Sequence, residues 1–315
     1  QQLLGELPNR DIVSWNTLVT AYAERGQGHE ALECFERMQS EGLSPNEVTL
    51  ICVLKACSCT GAIEKGKQIH KDIVRTGLLE KDILIGTALI DMYVKCGALS
   101  KAEQVLKELP IRSVISWNSL IAGYAQQGQG HEALNCLEKM QTDGLSPDEV
   151  TFLCVLSACS HSALMGEARR LFGNMEIRYG ISPNIEHHTC MISVLGSAGR
   201  FEEAMSVIKV IPDSDHSDLW LALLGACRKW GNVNLGSLAF DQTIQLDSFC
   251  ASAYVLMANI FAAAGMQEDA ERVEAMRVKY ATCQEQENRL LFDAGGNVDS
   301  IYRGTPKRIL GSTVI

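Results

Sequence analysis

The stretch that decides the fold is IVSWNTLVTAYAERGQGHEALECFERMQSEGLSPNEVTLICVLKACS, which begins at Ile12. It recurs from Val114 as VISWNSLIAGYAQQGQGHEALNCLEKMQTDGLSPDEVTFLCVLSACS. Asn16 of the first copy corresponds to Asn118 of the second, an offset of 102 residues, or three units of 34. Self-similarity at such a period is the signature of a repeat architecture. Two weaker copies cover residues 83–110 and 185–212.

Each unit predicts two amphipathic helices. In the first copy we expect a helix over Ser14–Arg25, a turn at Gly26–Gly28 and a second helix over His29–Ser40, which the GLSPN segment at 42–46 ends. Such a hairpin cannot bury its apolar stripes alone, so successive hairpins stack and enclose a concave inner face. No β-strand framework is indicated. The sequence predicts an all-α fold, a right-handed α-solenoid.

The charge balance limits the modes of binding. The chain of 315 residues has 28 Lys and Arg against 38 Asp and Glu, a net charge of −10. Binding to nucleic acid through phosphates alone needs clustered cations, so the composition argues against a non-specific polyanion clamp. It leaves the recognition of individual bases open, with a modest dependence of affinity on salt.

The cysteines and the uncharged segments have bland explanations. The 12 cysteines form no C-x-x-C pair and lie among Leu, Val and Ala, which predicts small buried thiols in a reducing compartment. The longest uncharged run, Ser248–Gln267, has an apolar centre too short for a membrane span. The chain opens at Gln1 with no leader, so we expect it to be a piece of a longer protein from which a targeting segment has been lost.

Several motifs together resemble one family. SWNTLVTAYAERGQGHEALECFERMQSEGLSPN, VLKACS, ALIDMYVKCG and LWLALLGACRKWGNV are similar to the plant pentatricopeptide repeat family, in particular to its subclass with alternating standard, long and short repeats. The resemblance covers roughly residues 1–280. Tetratricopeptide repeats share the hairpin and the period, but not the MYVKCG and LLGAC signatures.

The resemblance implies a division of the chain. Residues 1–11 would be the end of a truncated repeat, followed by six repeats and then, over 217–280, by two helical hairpins that resemble the family's C-terminal extension motifs. The implied repeats are 12–46, 47–82, 83–113, 114–148, 149–184 and 185–216. Residues 281–315 do not follow the repeat pattern, and we expect them to form a divergent, disordered tail.

Members of this family bind single-stranded organelle RNA at about one nucleotide per repeat, through the fifth and the last residue of each repeat. Carried over, the family's code implies cytosine over uracil for Asn16 with Asn46 and uracil for Asn118 with Asp148. Thr87 with Ser113 implies a purine, with Ser113 departing from the usual Asn or Asp. Thr189 with His216 departs further and implies only a weak purine preference. The long repeats carry Ile51 and Leu153, which cannot hydrogen-bond a base, so these units are expected to act as spacers.

These residues also have structural explanations. Asn16 and Asn118 could be helix caps, although Ser14 and Ser116, two residues earlier, are better placed for that role. Asn46 and Asp148 each follow a proline and suit a turn, which is compatible with base recognition. Trp15 and Trp117 could stack on bases. Adjacent helical residues point about 100° apart, which favours packing between hairpins instead.

No pattern indicates catalysis. The family's editing deaminase is a separate domain that holds zinc through His-x-Glu and Pro-Cys-x-x-Cys motifs, and neither combination occurs here. His187-His188 matches the short-repeat pattern, which favours a structural role. No phosphate-binding glycine motif occurs either. We expect no enzymatic activity, no cofactor and no metal.

The interpretation that follows is a monomeric, sequence-specific binder of single-stranded RNA in mitochondria or chloroplasts, with no membrane partner. It would direct C-to-U editing with a deaminase or accessory protein supplied by another chain. Two alternatives stay open. One is a protein-binding scaffold of the tetratricopeptide type, and the other is a fragment without independent function.

Overall fold

The computed structural model describes residues 11–211 and 216–294, with side chains through residue 280. These residues form sixteen α-helices and no strand, which confirms the predicted all-α class. The helices are α1 (Ile12–Glu24), α2 (Gly28–Ser40), α3 (Glu47–Thr60), α4 (Ile63–Arg75), α5 (Ile83–Lys95), α6 (Leu99–Glu108), α7 (Val114–Gln126), α8 (Gly130–Thr142), α9 (Glu149–His161), α10 (Met165–Tyr179), α11 (Ile185–Ser197), α12 (Phe201–Val210), α13 (Ser217–Trp230), α14 (Val233–Leu246), α15 (Ala251–Ala263) and α16 (Gln267–Ala294).

Helix α1 begins two residues before the predicted Ser14, and the expectation that Ser14 and Ser116 act as caps is wrong. Asp11 caps α1, and its Oδ1 accepts a hydrogen bond of 2.9 Å from the Ser14 amide. Ser113 caps α7 in the same way and accepts from the Ser116 amide at 3.1 Å. The apolar residue that follows each cap already takes helical geometry, so the two serines lie one turn inside.

A close approach between repeats depends on Gly28. A Cβ on this residue would lie 2.8 Å from the Ala56 carbonyl oxygen and 2.5 Å from the Thr60 side chain. Only glycine therefore lets the start of α2 approach α3. At the other end of α2, Gly42 has a φ of +81° and closes the helix before Pro45, as the sequence predicts.

The chain divides into two compact units, residues 1–207 and 208–315. In the first unit the odd-numbered helices form one continuous row, because α1, α3, α5, α7, α9 and α11 each pack against the next. Helices α2, α4, α6, α8 and α10 each pack against the helices before and after them, but these even-numbered helices make no comparable contact with one another. Helices on the inner side of a curved stack lie closest together, so the odd-numbered helices line the inner face of this unit.

The core of the first unit is one hydrophobic cluster that extends from Trp15 to Val194 and is rich in Leu, Ile, Val, Ala and Met. The described cysteines are all free thiols, and most are buried or half-buried, as predicted; Cys59 is exposed. Burial raises the pKa of the Cys57 thiol to about 11. Such a thiol stays protonated at neutral pH and acts as a small hydrophobe.

The second unit contains helices α13 to α16. Tyr254 lies at its centre, with ring centroids 5.3 Å from Phe240 and 5.8 Å from Tyr280. Helix α16 continues to Ala294, so the predicted disordered tail from residue 281 is helical over its first part. Its remainder, from residue 295, lies outside the described residues, as do residues 1–10 of the predicted truncated repeat. Among the described helices, none is both long and apolar enough to cross a membrane.

Candidate nucleic-acid interface

The last residue of each of the first five predicted repeats caps the first helix of the next repeat. Its backbone is extended, and its side-chain oxygen accepts from an amide in the first turn of that helix. The residues are Asn46, Asp82, Ser113, Asp148 and Asn184. Capping requires a short polar side chain at this position, so the residue types predicted for base recognition also have a structural cause.

The structure brings Asn118 and Asp148 together. Asn118 Nδ2 donates to Asp148 Oδ1 at 3.0 Å, from the middle of α7 to the cap of α9. The Thr151 hydroxyl lies 2.6 Å from Asn118 Oδ1, to which it donates. Asp148 Oδ1 also accepts from the Thr151 amide at 2.8 Å. The three side chains form one hydrogen-bonded group across the boundary between two repeats.

The equivalent group in the first standard repeat has the same connections. Asn16 Nδ2 donates to Asn46 Oδ1 at 3.0 Å, and the Thr49 hydroxyl donates to Asn16 Oδ1. The Thr49 amide donates to Asn46 Oδ1 at 3.0 Å. Because a backbone amide can only donate, the Asn46 atom that meets the Thr49 amide must be the oxygen Oδ1, and the other atom is Nδ2.

The two groups differ in the side-chain atom of the cap residue that these hydrogen bonds do not use. Asp148 Oδ2 and Asn46 Nδ2 take part in none of the hydrogen bonds above. Burial by itself would raise the pKa of the Asp148 carboxyl, but the hydrogen bonds from the Thr151 amide and from Asn118 outweigh it and hold the pKa below the usual 3.8. Asp148 is therefore an ionised acceptor at neutral pH, whereas Asn46 offers a donor.

The Thr87–Ser113 pair has no such group. The Thr87 hydroxyl donates to the Ile83 carbonyl at 2.9 Å, and Ser113 is engaged with Ser116 in the cap of α7. Thr189 likewise donates to its own helix, at the Ile185 carbonyl. His216 is exposed, precedes α13 without a side-chain cap bond, and belongs to the second unit, whereas Thr189 belongs to the first.

The long repeats place apolar side chains at the fifth position. Ile51 and Leu153 are both half-buried, and Ile51 packs against the hydrophobic core. His187, in the first turn of α11, is fully buried, and its Nε2 lies 3.0 Å from the Glu149 carbonyl while its Nδ1 lies 2.5 Å from Asn184 Oδ1. This confirms the structural role predicted for His187.

A row of exposed aliphatic side chains on the inner helices was not predicted from the sequence. They occupy the second position of five consecutive repeats and are between 53 and 65% exposed. The residues are Val13, Val48, Leu84, Ile115 and Val150. Each lies three residues before the fifth position and so on the same helix face. The row could have been predicted from the sequence, because an aliphatic residue recurs with the repeat period on the same helix face as the fifth position.

The tryptophans are not part of this exposed row. Trp15 and Trp117 are both buried, which confirms the predicted packing role. Trp15 Nε1 donates to Glu41 Oε2 at 3.2 Å. The exposed row is therefore made of aliphatic side chains.

The inner helices of the first unit carry little charge. Their seven charged residues are Glu24, Glu47, Lys55, Asp91, Lys95, Glu149 and Glu186. Lys95 is paired with Asp91 at 2.9 Å, whereas Lys55 is exposed and forms none of the ion pairs described for this unit. Among the described residues, no three His, Cys, Asp or Glu side chains are grouped closely enough to hold a metal ion.

Comparison with family models identifies the repeats. The model described as PPR repeat family matches residues 10–59 and 112–161, and the model described as PPR repeat matches residues 87–114, 150–178 and 186–215. Together they cover more than half of the chain. The chain belongs to the pentatricopeptide repeat (PPR) family.

Relatives in Arabidopsis thaliana extend this similarity. The chloroplastic PPR-containing protein CRR2 is 40% identical over 276 residues, covering 87% of this chain and 42% of that protein. Another chloroplastic PPR-containing protein is 38% identical over 284 residues, covering 86% of this chain and 32% of its own length. A putative mitochondrial one is 36% identical over 276 residues, covering 88% and 44%. The chain thus spans less than half of each of these three relatives.

Solved structures show the same fold. The crystal structure of the PPR protein PPR10 in complex with an 18-nt psaJ RNA element superposes with a TM-score of 0.72 at 17% identity, covering 90% of this chain and 42% of PPR10. A second crystal structure, of PPR10 from maize, superposes with a TM-score of 0.54 at 21% identity, covering 88% of this chain and 46% of that one. The stacked helical-hairpin solenoid predicted from the repeat is thereby confirmed.

Proposed function

We propose that this protein binds single-stranded RNA in a sequence-specific manner, and that its standard repeats select one pyrimidine each. The observation that carries the proposal is the pair of matched hydrogen-bonded groups at Asn16–Asn46 and Asn118–Asp148. They share every connection and differ in the one atom of the cap residue that these hydrogen bonds do not use. Polar groups in that arrangement, repeated along an inner helical face, suit the recognition of successive base edges.

The two unused atoms, Asp148 Oδ2 and Asn46 Nδ2, match two different bases. The Asp148 carboxylate can only accept a hydrogen bond, which suits the N3–H group of uracil. The Asn46 Nδ2 group donates, which suits the N3 acceptor of cytosine. Asn at the fifth position is longer than Thr and leaves room for the smaller pyrimidine, whereas Thr87 and Thr189 leave room for a purine. Thr87 with Ser113 and Thr189 with His216 are proposed as the weaker of the four reading pairs.

The exposed aliphatic row supports the same function. Exposed Val, Leu and Ile side chains that recur once per repeat have no role in the core, and a base has an apolar face that can lie against them. The sixth repeat has Glu186 instead, which is exposed and cannot serve in this way. Stacking on the row would add affinity without base preference, and the polar groups would add the preference.

The cellular role is the finer part of the proposal. The chloroplastic and mitochondrial relatives and the PPR10–RNA complex support an organelle transcript as the target. We further propose that the chain acts as a monomer and directs C-to-U editing, with the deaminase or accessory protein supplied by another chain. The long, short and standard alternation and the extension motifs predicted over 217–280 are the grounds for this role.

The test is a selection from randomised single-stranded RNA with matched DNA as competitor, followed by sequencing of the bound fraction. We expect a pyrimidine and a uracil three nucleotides apart, opposite residues 12–46 and 114–148. The Asn118→Thr variant should change the second preference from uracil to guanine. Absence of RNA binding at micromolar protein would contradict the proposal and favour the protein-binding scaffold or the fragment without function.

A further inference from the structure

We infer that Thr49 and Thr151 are positioning residues for base recognition, and that the long repeats contribute to specificity through them. This inference rests on the proposed function. The long repeats carry Ile51 and Leu153 at the position where the standard repeats carry Asn, so by that criterion they are spacers. Their third residue, however, reaches back to the reading residue of the preceding repeat.

Each threonine holds the second end of an asparagine amide. Asn118 Nδ2 is held by Asp148 Oδ1 at 3.0 Å, and Asn118 Oδ1 is held by the Thr151 hydroxyl at 2.6 Å. Asn16 is held in the same way by Asn46 and Thr49. With both ends bound, the amide plane cannot rotate, and the remaining N–H and lone pair point in fixed directions.

The protein itself, and not the bound base, holds each threonine hydroxyl in place. Thr49 and Thr151 are fully buried, so neither can contact a base itself. The Thr151 hydroxyl also accepts from the Asp148 amide at 3.1 Å and lies 2.8 Å from Asp148 Oδ1. It is thus fixed by the cap of α9 and acts on the base only through Asn118.

The other repeat boundaries of the first unit provide an internal comparison. Threonine occupies the third position only where the preceding fifth residue is asparagine. After Ile51 that position holds the buried Ile85, and after Leu153 it holds His187. After Thr87 it holds Ser116, whose hydroxyl donates to the Ser113 carbonyl at 2.8 Å instead. The threonine at the third position therefore occurs together with the asparagine that it holds.

The experiment measures selectivity rather than affinity. Using the full chain, the dissociation constants for RNAs with uracil or cytosine opposite residues 114–148 are compared for the wild type and for Thr151→Val, which keeps the shape and removes the hydroxyl. We expect Thr151→Val to reduce the preference for uracil by roughly three- to tenfold, the effect of one lost hydrogen bond. Thr151→Ser should restore it, because the hydroxyl is retained.

Thr49→Val is the matched variant. It removes the equivalent hydroxyl, so it should reduce the preference for cytosine opposite residues 12–46 and leave the uracil preference at the second position unchanged. Unfolding midpoints of all variants show whether each protein is folded.

Two results would overturn the inference. The first is a Thr151→Val protein that binds RNA with the wild-type ratio. The second is an equal loss of selectivity at both positions in each variant, which would indicate general destabilisation. In both cases the wild type still binds with its preferences, so the proposed function stands. A wild-type protein with no RNA binding would instead contradict both.

Discussion

At the scale of single residues, the last position of a repeat has two tasks that the same chemistry satisfies. Asp148 and Asn46 cap a helix with one side-chain atom, and the other atom takes no part in the cap. The capping requirement restricts the position to short polar residues, and the choice among these is free to serve recognition. Asn118 is only 7% exposed, whereas Asp148 is half-buried, so Asp148 is the more accessible of the two side chains.

The substitution Asp148→Asn tests this division of tasks. The new amide keeps an oxygen for the cap and turns Nδ2 outward, so the preference opposite residues 114–148 should change from uracil to cytosine with little loss of stability. Competition binding with the two RNAs measures the change.

Hydrogen bonds hold the pKa of Asp148 below the usual 3.8, so the wild-type uracil preference should stay constant from pH 8 to pH 5. A preference that declines in that range would contradict the role of the carboxylate.

At the scale of helices, the contact between α4 and α5 contains a buried polar pair. His70 Nδ1 lies 2.9 Å from the Tyr93 hydroxyl, and His70 Nε2 is buried with no hydrogen-bond partner among the described residues. Burial lowers the pKa of His70 below the usual 6.5, with Glu108 acting in the opposite direction and Lys101 in the same one. The folded state therefore favours the neutral imidazole.

The pH dependence of stability follows from that shift. Between the folded pKa and about 6.5 the unfolded chain binds more protons at His70 than the folded chain. The free energy of unfolding should therefore decrease as the pH falls through about 6.5, and level off below the folded pKa. His70→Gln cannot titrate, so its free energy of unfolding should vary less over this range. Urea unfolding of both proteins at pH 8 to 5 measures the difference, and parallel curves would refute the assignment to His70.

At the scale of the whole molecule, a net charge of −10 and an inner face with few charges predict that phosphate contacts contribute little to RNA affinity. Lys55 is the exception on the inner helices, because it is exposed and Lys95 is already paired with Asp91. The matching residue of the second long repeat is Ser157.

Replacing Lys55 by that serine tests the electrostatic contribution. Lys55→Ser should weaken RNA binding uniformly across sequences and reduce the slope of log K against log salt by about 0.7, the value for one phosphate contact on a single strand. Lys71→Ser removes the same charge from α4, which is not one of the inner helices, and should leave the slope unchanged. Binding titrations at several salt concentrations measure both slopes. Equal effects of the two variants would indicate a diffuse charge effect instead of a contact by Lys55.

The sequence by itself determined the fold class and the residues to examine. The period of 34 requires stacked hairpins, because a single hairpin cannot bury its apolar faces, and it aligns Asn16 with Asn118. Sequence spacing also indicated that the tryptophans belong to the core. It could not locate the helix starts, where Asp11 and Ser113 are the caps and not Ser14 and Ser116.

Only the tertiary structure decided how residues about 30 positions apart cooperate. The bonds of Asn118 with Asp148 and Thr151 cross a boundary between helices, and no local propensity encodes them. The exposure of Val13 and Ile115 also depends on which helix face the neighbouring hairpins cover. Local rules specify which side chains can hydrogen-bond or cap, whereas packing decides which of their atoms remain free for a ligand.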